Sequence, residues 1–469
     1  MEWKDFGDWG GRISEWAEDY HLNVGDRPVR SRVKPGEVLA ALPAVPPEQS
    51  EDMEKIFEDF ETIVMPGITH WQHPRFFAYF NSNAAPASVL AEFLTAALSP
   101  QCMLWQTSPA ATEMETCMMG WLREALGLPD GFSGVIQDSA SSATLAAVLT
   151  MREKALKWTG NTAGLARNPQ LRVYSSSEVH TSVDRAIWVS GIGSENLVRV
   201  PISGAWRGMD PEKLEALIEA DLATGHVPAG VILCVGGTGT GATDPIDACI
   251  AVAEKYGLFV HVDAAWSGSA MICPEYRHYW EGVERADSIV FNPHKWLGVQ
   301  FDCSAHFLKS PDDLVRTLAI QPEYLKTHGA DGIINYSEWS VPLGRRFRAL
   351  KIWFVLRAYG LEGLRERLRN HINWSVALHD RIAATAGFEI VTPPMWSLFT
   401  FRYLRDGVDP DELNQRLINA INDDGRIYLT QTRVDGDLVI RFQAGQFETT
   451  EEDVKMAYDV IVELAEALE

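Results

Sequence analysis

The chain has 469 residues, 46% hydrophobic and 22% charged, a balance that allows a large buried core in two or three structural units and excludes a disordered chain. Its formal charge of −23 excludes the basic face that a nucleic acid needs and opposes docking on an anionic membrane. No apolar run approaches the roughly 20 residues that span a bilayer.

The opening MEWKDFGDWGG has acids where a signal peptide would be basic and then apolar. Six cysteines (Cys102, Cys117, Cys234, Cys249, Cys273, Cys303) form no CxxC pair and no metal-like spacing with histidine. The expectation is a cytoplasmic protein with reduced thiols and no metal. Residues 1–24 and 50–66 read as amphipathic helices around the proline-bearing stretch RPVRSRVKPGEVLAALPAVPPEQS. An arm of residues 1–85 has too little apolar content to fold alone and is expected to lie on a partner subunit. From 86 to 345, short β-rich runs (GVIQ, LRVYSS, GVILCV, LFVHVDAA, SIVFNP, SAHFLK) alternate with helical stretches such as ATEMETCMMGWLREALG. That alternation predicts an α/β unit with a mostly parallel sheet under helices. From 346 to 469, the helix RRFRALKIWFVLRAYG leads into a smaller α+β unit, with strands near FEIVT, LFTFRYL and LVIRFQA.

Ligands of open α/β sheets bind where strands end, and three strand ends stand out. In GVIQDSASSATLAAV, Ser139, Ala140 and Ser141 open a helix whose free N–H groups favour an anion such as phosphate; a plain N-cap serine is the alternative. In HVDAAWSGSA, Asp263 ends an apolar strand, where a carboxylate needs a cation or good hydrogen bonds. In FNPHKWLG, Lys295 follows Asp263 by 32 residues. Its amine either caps a strand end in solvent or is buried because it is covalently engaged, as in a Schiff base. A strand–Asp, helix, strand–Lys order puts both side chains on one sheet edge. A phosphate site, an acid and a lysine on one edge are what pyridoxal phosphate requires.

The stretches THWQHPRFFAYFNS, WQTSPAATEMET, GVIQDSASSATLAAV, EVHTSVDRA, HVDAAWSGSAMICPEYRH, FNPHKWLGVQFDCSA, PEYLK and VPLGRRFRALKIWFVLRAYG resemble the pyridoxal-phosphate-dependent aromatic L-amino-acid decarboxylases (group II decarboxylases) over residues 2–465. The resemblance implies a fold-type I, aspartate aminotransferase-like architecture in a homodimer with the active site at the subunit interface. It implies that Lys295 bonds the cofactor, Asp263 pairs with the ring nitrogen and His180 stacks on the ring. Thr238 and Asp244 would support the cofactor, and Ala140, Ser141 and His294 would surround its phosphate. Trp71, Gln72, Tyr79, Phe80 and Gly344 would face the substrate, with Met103 and Trp105 reaching across the dimer. Tyr324, in a long glycine-bearing segment that reads as a lid, would return a proton to Cα after CO2 leaves. Relatives with Phe there tend to be aldehyde synthases.

Four positions depart from or vary within the family pattern: Asp138 and Gly237 replace a small residue and a Thr, Gln72 replaces a His, and Gly344 leaves the pocket roomy. The reaction implied is decarboxylation of an aromatic L-amino acid (Trp, Tyr, Dopa or Phe) to its amine and CO2. An aromatic aldehyde synthase, or a decarboxylase of another L-amino acid, is the nearest alternative. A nicotinamide enzyme built on GGTGTGATDP lacks both the GxGxxG spacing and a ribose-binding acid.

Overall fold

The computed structural model describes residues 1–320 and 332–468. Seven strands form the central sheet: β1 (Ser133–Gln137), β2 (Leu171–Ser176), β3 (Leu197–Val200), β4 (Val227–Cys234), β5 (Phe259–Asp263), β6 (Ser288–Phe291) and β7 (Ser304–Leu308). Their order is β1-β7-β6-β5-β4-β2-β3. β7 runs antiparallel to β1 and β6, and the other pairs are parallel. Every residue of β5, β6 and β7 is buried, because helices cover both faces, so these strands read as continuous apolar runs. Edge strand β3 (LVRV) is half exposed and carries no such run, so no apolar pattern marks it along the chain.

The link from β5 to β6 differs from the expected helix. It is a series of 3-10 turns, Ser267–Ile272, Pro274–Trp280 and Val283–Arg285. Pro274 and two glycines interrupt any α-helical register. At Gly268 a Cβ would lie 2.5 Å from Cβ of Phe291, so the chain turns back close against β6.

In the arm, α1 (Phe6–Asn23) packs on the helix Met53–Asp59 and the turns after it, through Trp16 on Phe60 at 5.2 Å and the Arg12–Glu54 ion pair. Helix α2 (Pro86–Leu98) follows, and α3 (Ala140–Ala155) rises from the end of β1. Helix α4 (Ala349–Ala383) is broken at Gly360 (φ 64°), where the sequence placed its end, and resumes beyond it. The C-terminal sheet is antiparallel, in the order β8 (Phe388–Met395), β9 (Leu398–Tyr403), β11 (Asp437–Gln443), β10 (Thr430–Val434). Residues just before α2 join this sheet's core: Phe77 donates its N–H to Tyr428 O at 3.0 Å and packs on Phe442 at 4.7 Å. Among the described residues, no helix is long and apolar enough to cross a membrane.

Burial pushes five imidazoles, those of His73, His261, His294, His306 and His371, down to about 3. In the unfolded chain they titrate near 6.5. Between those values only the unfolded chain binds the protons, so stability falls on acidification, by up to ~1.4 kcal/mol per pH unit for each histidine. The denaturant midpoint is therefore expected to drop steadily as pH is lowered from 6.5 to 5; urea titrations across that range check it, and a flat midpoint would contradict the buried neutral histidines.

Candidate active site

Lys295 sits one turn beyond β6, in the short helix Pro293–Trp296, with Pro293 at the position where a missing N–H costs nothing. Asn83 fixes this turn. Its Nδ2 donates to the carbonyls of Lys295 and Gly445, its Oδ1 accepts from Phe447 N at 2.8 Å, and its N–H donates to His294 O at 3.1 Å. On the other side, Trp296 Nε1 donates to His371 Nδ1 of α4 at 3.0 Å.

The lysine amine rests on an aromatic column. Nζ lies 5.1 Å over the Phe80 ring, Phe80 stacks on Trp266 at 4.2 Å, and Trp266 stacks on Trp296 at 4.7 Å. The guanidinium of Arg441 lies 4.7 Å from the same Phe80 ring. Removal from water pushes the Lys295 amine down to about 8; the Asp263 carboxylate opposes that shift and Arg441 adds to it.

Lys295 borders a cavity of about 210 Å³ together with Phe80, Ala140, Ser141, His180, Thr238, Asp263 and His294. Asp263 ends β5 at the edge where β6 leads to Lys295, since the two strands pair in parallel with Asp263 opposite Val290. The Asp263 side chain is buried and accepts from Ala265 N at 3.0 Å. Ser139 is the N-cap of α3, its hydroxyl accepting from Ser142 N at 3.2 Å. The amides of Ala140 and Ser141 lie in the first helical turn, where no preceding carbonyl can accept them. The plain N-cap is thus present, and the residues after it, Ala140 and Ser141, line the cavity. His180 Nδ1 accepts from Ser182 N at 3.1 Å, which leaves the proton on Nε2, and burial lowers its pKa. His294 Nδ1 accepts from Cys303 N at 2.9 Å in the same way.

This donor set fits pyridoxal phosphate. It offers an amine that is unprotonated in part near neutral pH, a buried carboxylate for the ring nitrogen, a flat imidazole and a helix end for phosphate. Among the described residues no cluster of His, Cys, Asp and Glu is arranged to hold a metal.

Other residues named from the sequence lie elsewhere. Asp244 stands behind the cavity, its carboxylate accepting from Met209 N and Cys234 N at 2.6 Å each, and burial raises it to about 6. Tyr79 lines an adjoining cleft and stacks on Trp71 at 5.9 Å. Gln72 Nε2 donates to Ser82 O at 2.6 Å, and its Oε1 has no partner among the described residues. Met103, Trp105 and Gly344 lie together around Gln101 and Asn335–Ser337, away from this chain's own cavity: Met103 O accepts from Ser337 N, Trp105 N donates to Asn335, and a Cβ on Gly344 would lie 3.3 Å from Gln101 Nε2. Asp138 does not line the cavity; it accepts from Ser139 Oγ at 3.4 Å and lies in the field of Arg348. Tyr324 lies outside the described residues.

Two residues were missed. Asn83 gave no signal, since its role depends on carbonyls more than 200 positions away. Arg441 did give one: it interrupts the apolar run LVIRFQA just as Lys295 interrupts FNPHKWLG. It is 3% exposed, donates to Tyr79 O at 2.6 Å and Thr238 O at 2.9 Å, and its Nη2 has no partner among the described residues.

The family model described as the pyridoxal-dependent decarboxylase conserved domain matches residues 35–404. Tyrosine decarboxylase 2 of Arabidopsis thaliana is 40% identical over 468 residues, which cover 96% of this chain and 85% of that one. Phenylacetaldehyde synthase of the same plant is 38% identical, covering 100% and 97%. The crystal structure of Oryza sativa TDC with PLP and tryptamine superposes with a TM-score of 0.96 at 34% identity, over 100% of this chain and 99% of that one.

An amine lowered to about 8 stands apart from ordinary lysines near 10.4. In the cofactor-free protein, Lys295 is expected to be acylated fastest of the lysines between pH 7 and 8.5. Peptide mass spectrometry after brief acetic anhydride treatment reads this; labelling of Lys295 no faster than that of exposed lysines would refute the burial argument.

Proposed function

Because the chain belongs to the pyridoxal-dependent decarboxylase family, we propose that it converts aromatic L-amino acids of the Trp, Tyr, Dopa and Phe class to arylalkylamines and CO2. The cofactor is pyridoxal 5'-phosphate. The observation that carries the reading is the pairing of the cavity bordered by Lys295 and Asp263 with the aromatic surface of Phe80, Tyr79 and Trp71 beside it.

When bound, pyridoxal phosphate supplies the sink for the electron pair that CO2 leaves at Cα. The chain's own residues do the rest. Lys295 would hold the cofactor through its amine, and Asp263 would favour the protonated ring nitrogen. The amides of Ala140 and Ser141, with Nε2–H of His294, would hold the phosphate. His180 would lie against the ring, while Thr238 and Asp244 would support the surrounding loop.

With phosphate served by the helix end, the free N–H of Arg441 is left for the other anion present, the substrate carboxylate, which it would orient. Tyr324, a phenol neutral at pH 7, would donate the proton to Cα.

Met103, Trp105 and Gly344 sit outside this chain's cavity, which supports their service to a partner's site in a homodimer, with residues 1–85 as an arm across it. In that division, residues 86–345 form the cofactor-binding unit and 346–469 the small one. Cys102, Cys234, Cys249, Cys273 and Cys303 are buried and unpaired, which supports a reducing, cytoplasmic setting. The 38% identity to a phenylacetaldehyde synthase keeps a second reading in view, in which the product is an aldehyde; tyrosine at 324 favours the amine.

Incubation of the protein and pyridoxal phosphate with pooled Trp, Tyr, Dopa, Phe, His and Glu, followed by mass spectrometry, is expected to give amines from one or two aromatic members. Aldehydes would install the second reading, and products from His or Glu alone would overturn the substrate class. Lys295→Ala should abolish the yellow cofactor adduct, and Tyr324→Phe should shift product from amine to aldehyde. In Arg441→Met, KM should rise about 10- to 100-fold, the worth of one charged hydrogen bond; an unchanged KM would remove Arg441 from carboxylate binding.

A further inference from the structure

Between the central and C-terminal sheets opens a cleft of about 980 Å³, whose walls include His180 and Thr238 on one side and Arg433 and Arg441 on the other. One side chain spans it. Arg207 lies on a small hairpin, Ile202–Ser203 with Gly208–Met209, that extends beyond β3. Its Nε and Nη2 both donate to Glu178 Oε1 at 3.1 Å, and Nη1 and Nη2 donate to the Asp435 carboxylate at 2.9 and 3.0 Å. Glu178 is two residues from His180, and its other oxygen accepts from Thr240 Oγ1 at 2.9 Å. Asp435 is six residues before Arg441, at the turn of the β10–β11 hairpin. One guanidinium therefore ties the loop that carries His180 to the hairpin that carries Arg441.

The surroundings are shaped for this contact. Asp435 and Gly436 form a two-residue turn, with Val434 opposite Asp437 and φ of 52° and 98°, the Asp-Gly geometry that fixes where a hairpin tip points. Arg207 itself adopts φ 52°, a left-handed conformation that a non-glycine residue holds only when its neighbours impose it. At Gly237 a Cβ would lie 2.8 Å from the backbone oxygen of Glu178. The glycine therefore lets the His180 loop settle on the Thr238 loop, and gives a physical reason for its departure from the family's Thr.

The two arms of the clamp differ. Glu178 and Arg207 expose only 12% and 18% of their side chains, whereas Asp435 exposes 74%. An ion pair as open as the Asp435 arm is weak and screened by salt, and the sheltered Glu178 arm is not. We propose that Arg207 is a positioning residue for the decarboxylation, holding the His180 loop through Glu178 and closing the cleft over the substrate through Asp435. The proposal rests on the cofactor and substrate assignment made above.

The test uses the full-length chain and two readouts, pyridoxal phosphate titration of the cofactor-free protein by its yellow absorbance and steady-state kinetics of amine formation. Arg207→Met and Glu178→Gln should each weaken cofactor binding about tenfold. Asp435→Asn should leave cofactor binding within twofold while raising KM threefold or more with kcat little changed, and should abolish the part of the KM that rises with added KCl. Arg207→Lys should fall between wild type and Arg207→Met. If Arg207→Met binds cofactor and substrate within twofold of wild type, the clamp is overturned, whatever happens to its melting temperature. Should that variant fail to fold, the exposed Asp435→Asn decides: an unchanged KM and salt dependence overturn the proposal. A wild-type protein that takes up no pyridoxal phosphate overturns the site assignment itself, and that failure is read before any variant is compared.

Discussion

Taking one lysine amine out of water is the constraint on which this structure turns. A free ammonium is strongly hydrated, and its burial must be offset or its proton released. Here the amine sits above Phe80 at the top of the column Phe80, Trp266, Trp296, with Asp263 near enough to favour the charged form and burial winning over it. The column draws on distant parts of the chain: Phe80 precedes α2, Trp266 follows β5, and Trp296 is hydrogen-bonded to α4. A change in any of these elements reaches the lysine, because aromatic stacks of this size pack without slack.

The electrostatics around that column are unbalanced in a way that asks for anions. Lys295 and Arg441 approach the same ring, and burial pushes Arg441 down to about 9. Among the described residues, Asp263 is the one carboxylate lining the cavity. A helix N-terminus adds further positive potential. A phosphate at the helix end and a carboxylate at Arg441 would offset that charge.

Much of the site was legible because it breaks local rules. A lysine in FNPHKWLG and an acid ending HVDAA contradict what their apolar surroundings favour, a hydroxyl cluster marks where a helix opens, and strand ends bring the three together. Ala140, Ser141, His180, Thr238, Asp263, His294 and Lys295 do converge on one cavity. The antiparallel β7, the 3-10 link after β5 and edge strand β3 were not legible, since direction, turn type and edge position follow from tertiary packing and not from periodicity. Asn83 was silent for the same reason: its partners are backbone carbonyls, which no side-chain pattern encodes.

Departures from a family pattern look independent along the sequence and need not be so in space. Gly237 and Glu178 are 59 positions apart, yet the space left by the missing Cβ at one is where the backbone of the other rests. With a Thr at 237, the loop bearing Glu178 would have to rise, and the geometry of Arg207 to Glu178 Oε1 at 3.1 Å would go with it. Asp138 differs, for it does not line the cavity: its carboxylate accepts from Ser139 Oγ at 3.4 Å and acts on Arg348, which Asp302 holds at 2.9 Å, only through its field. The effect of the Gly237 departure on the chemistry is therefore set by the pair it forms with its spatial neighbour and not by the residue type alone.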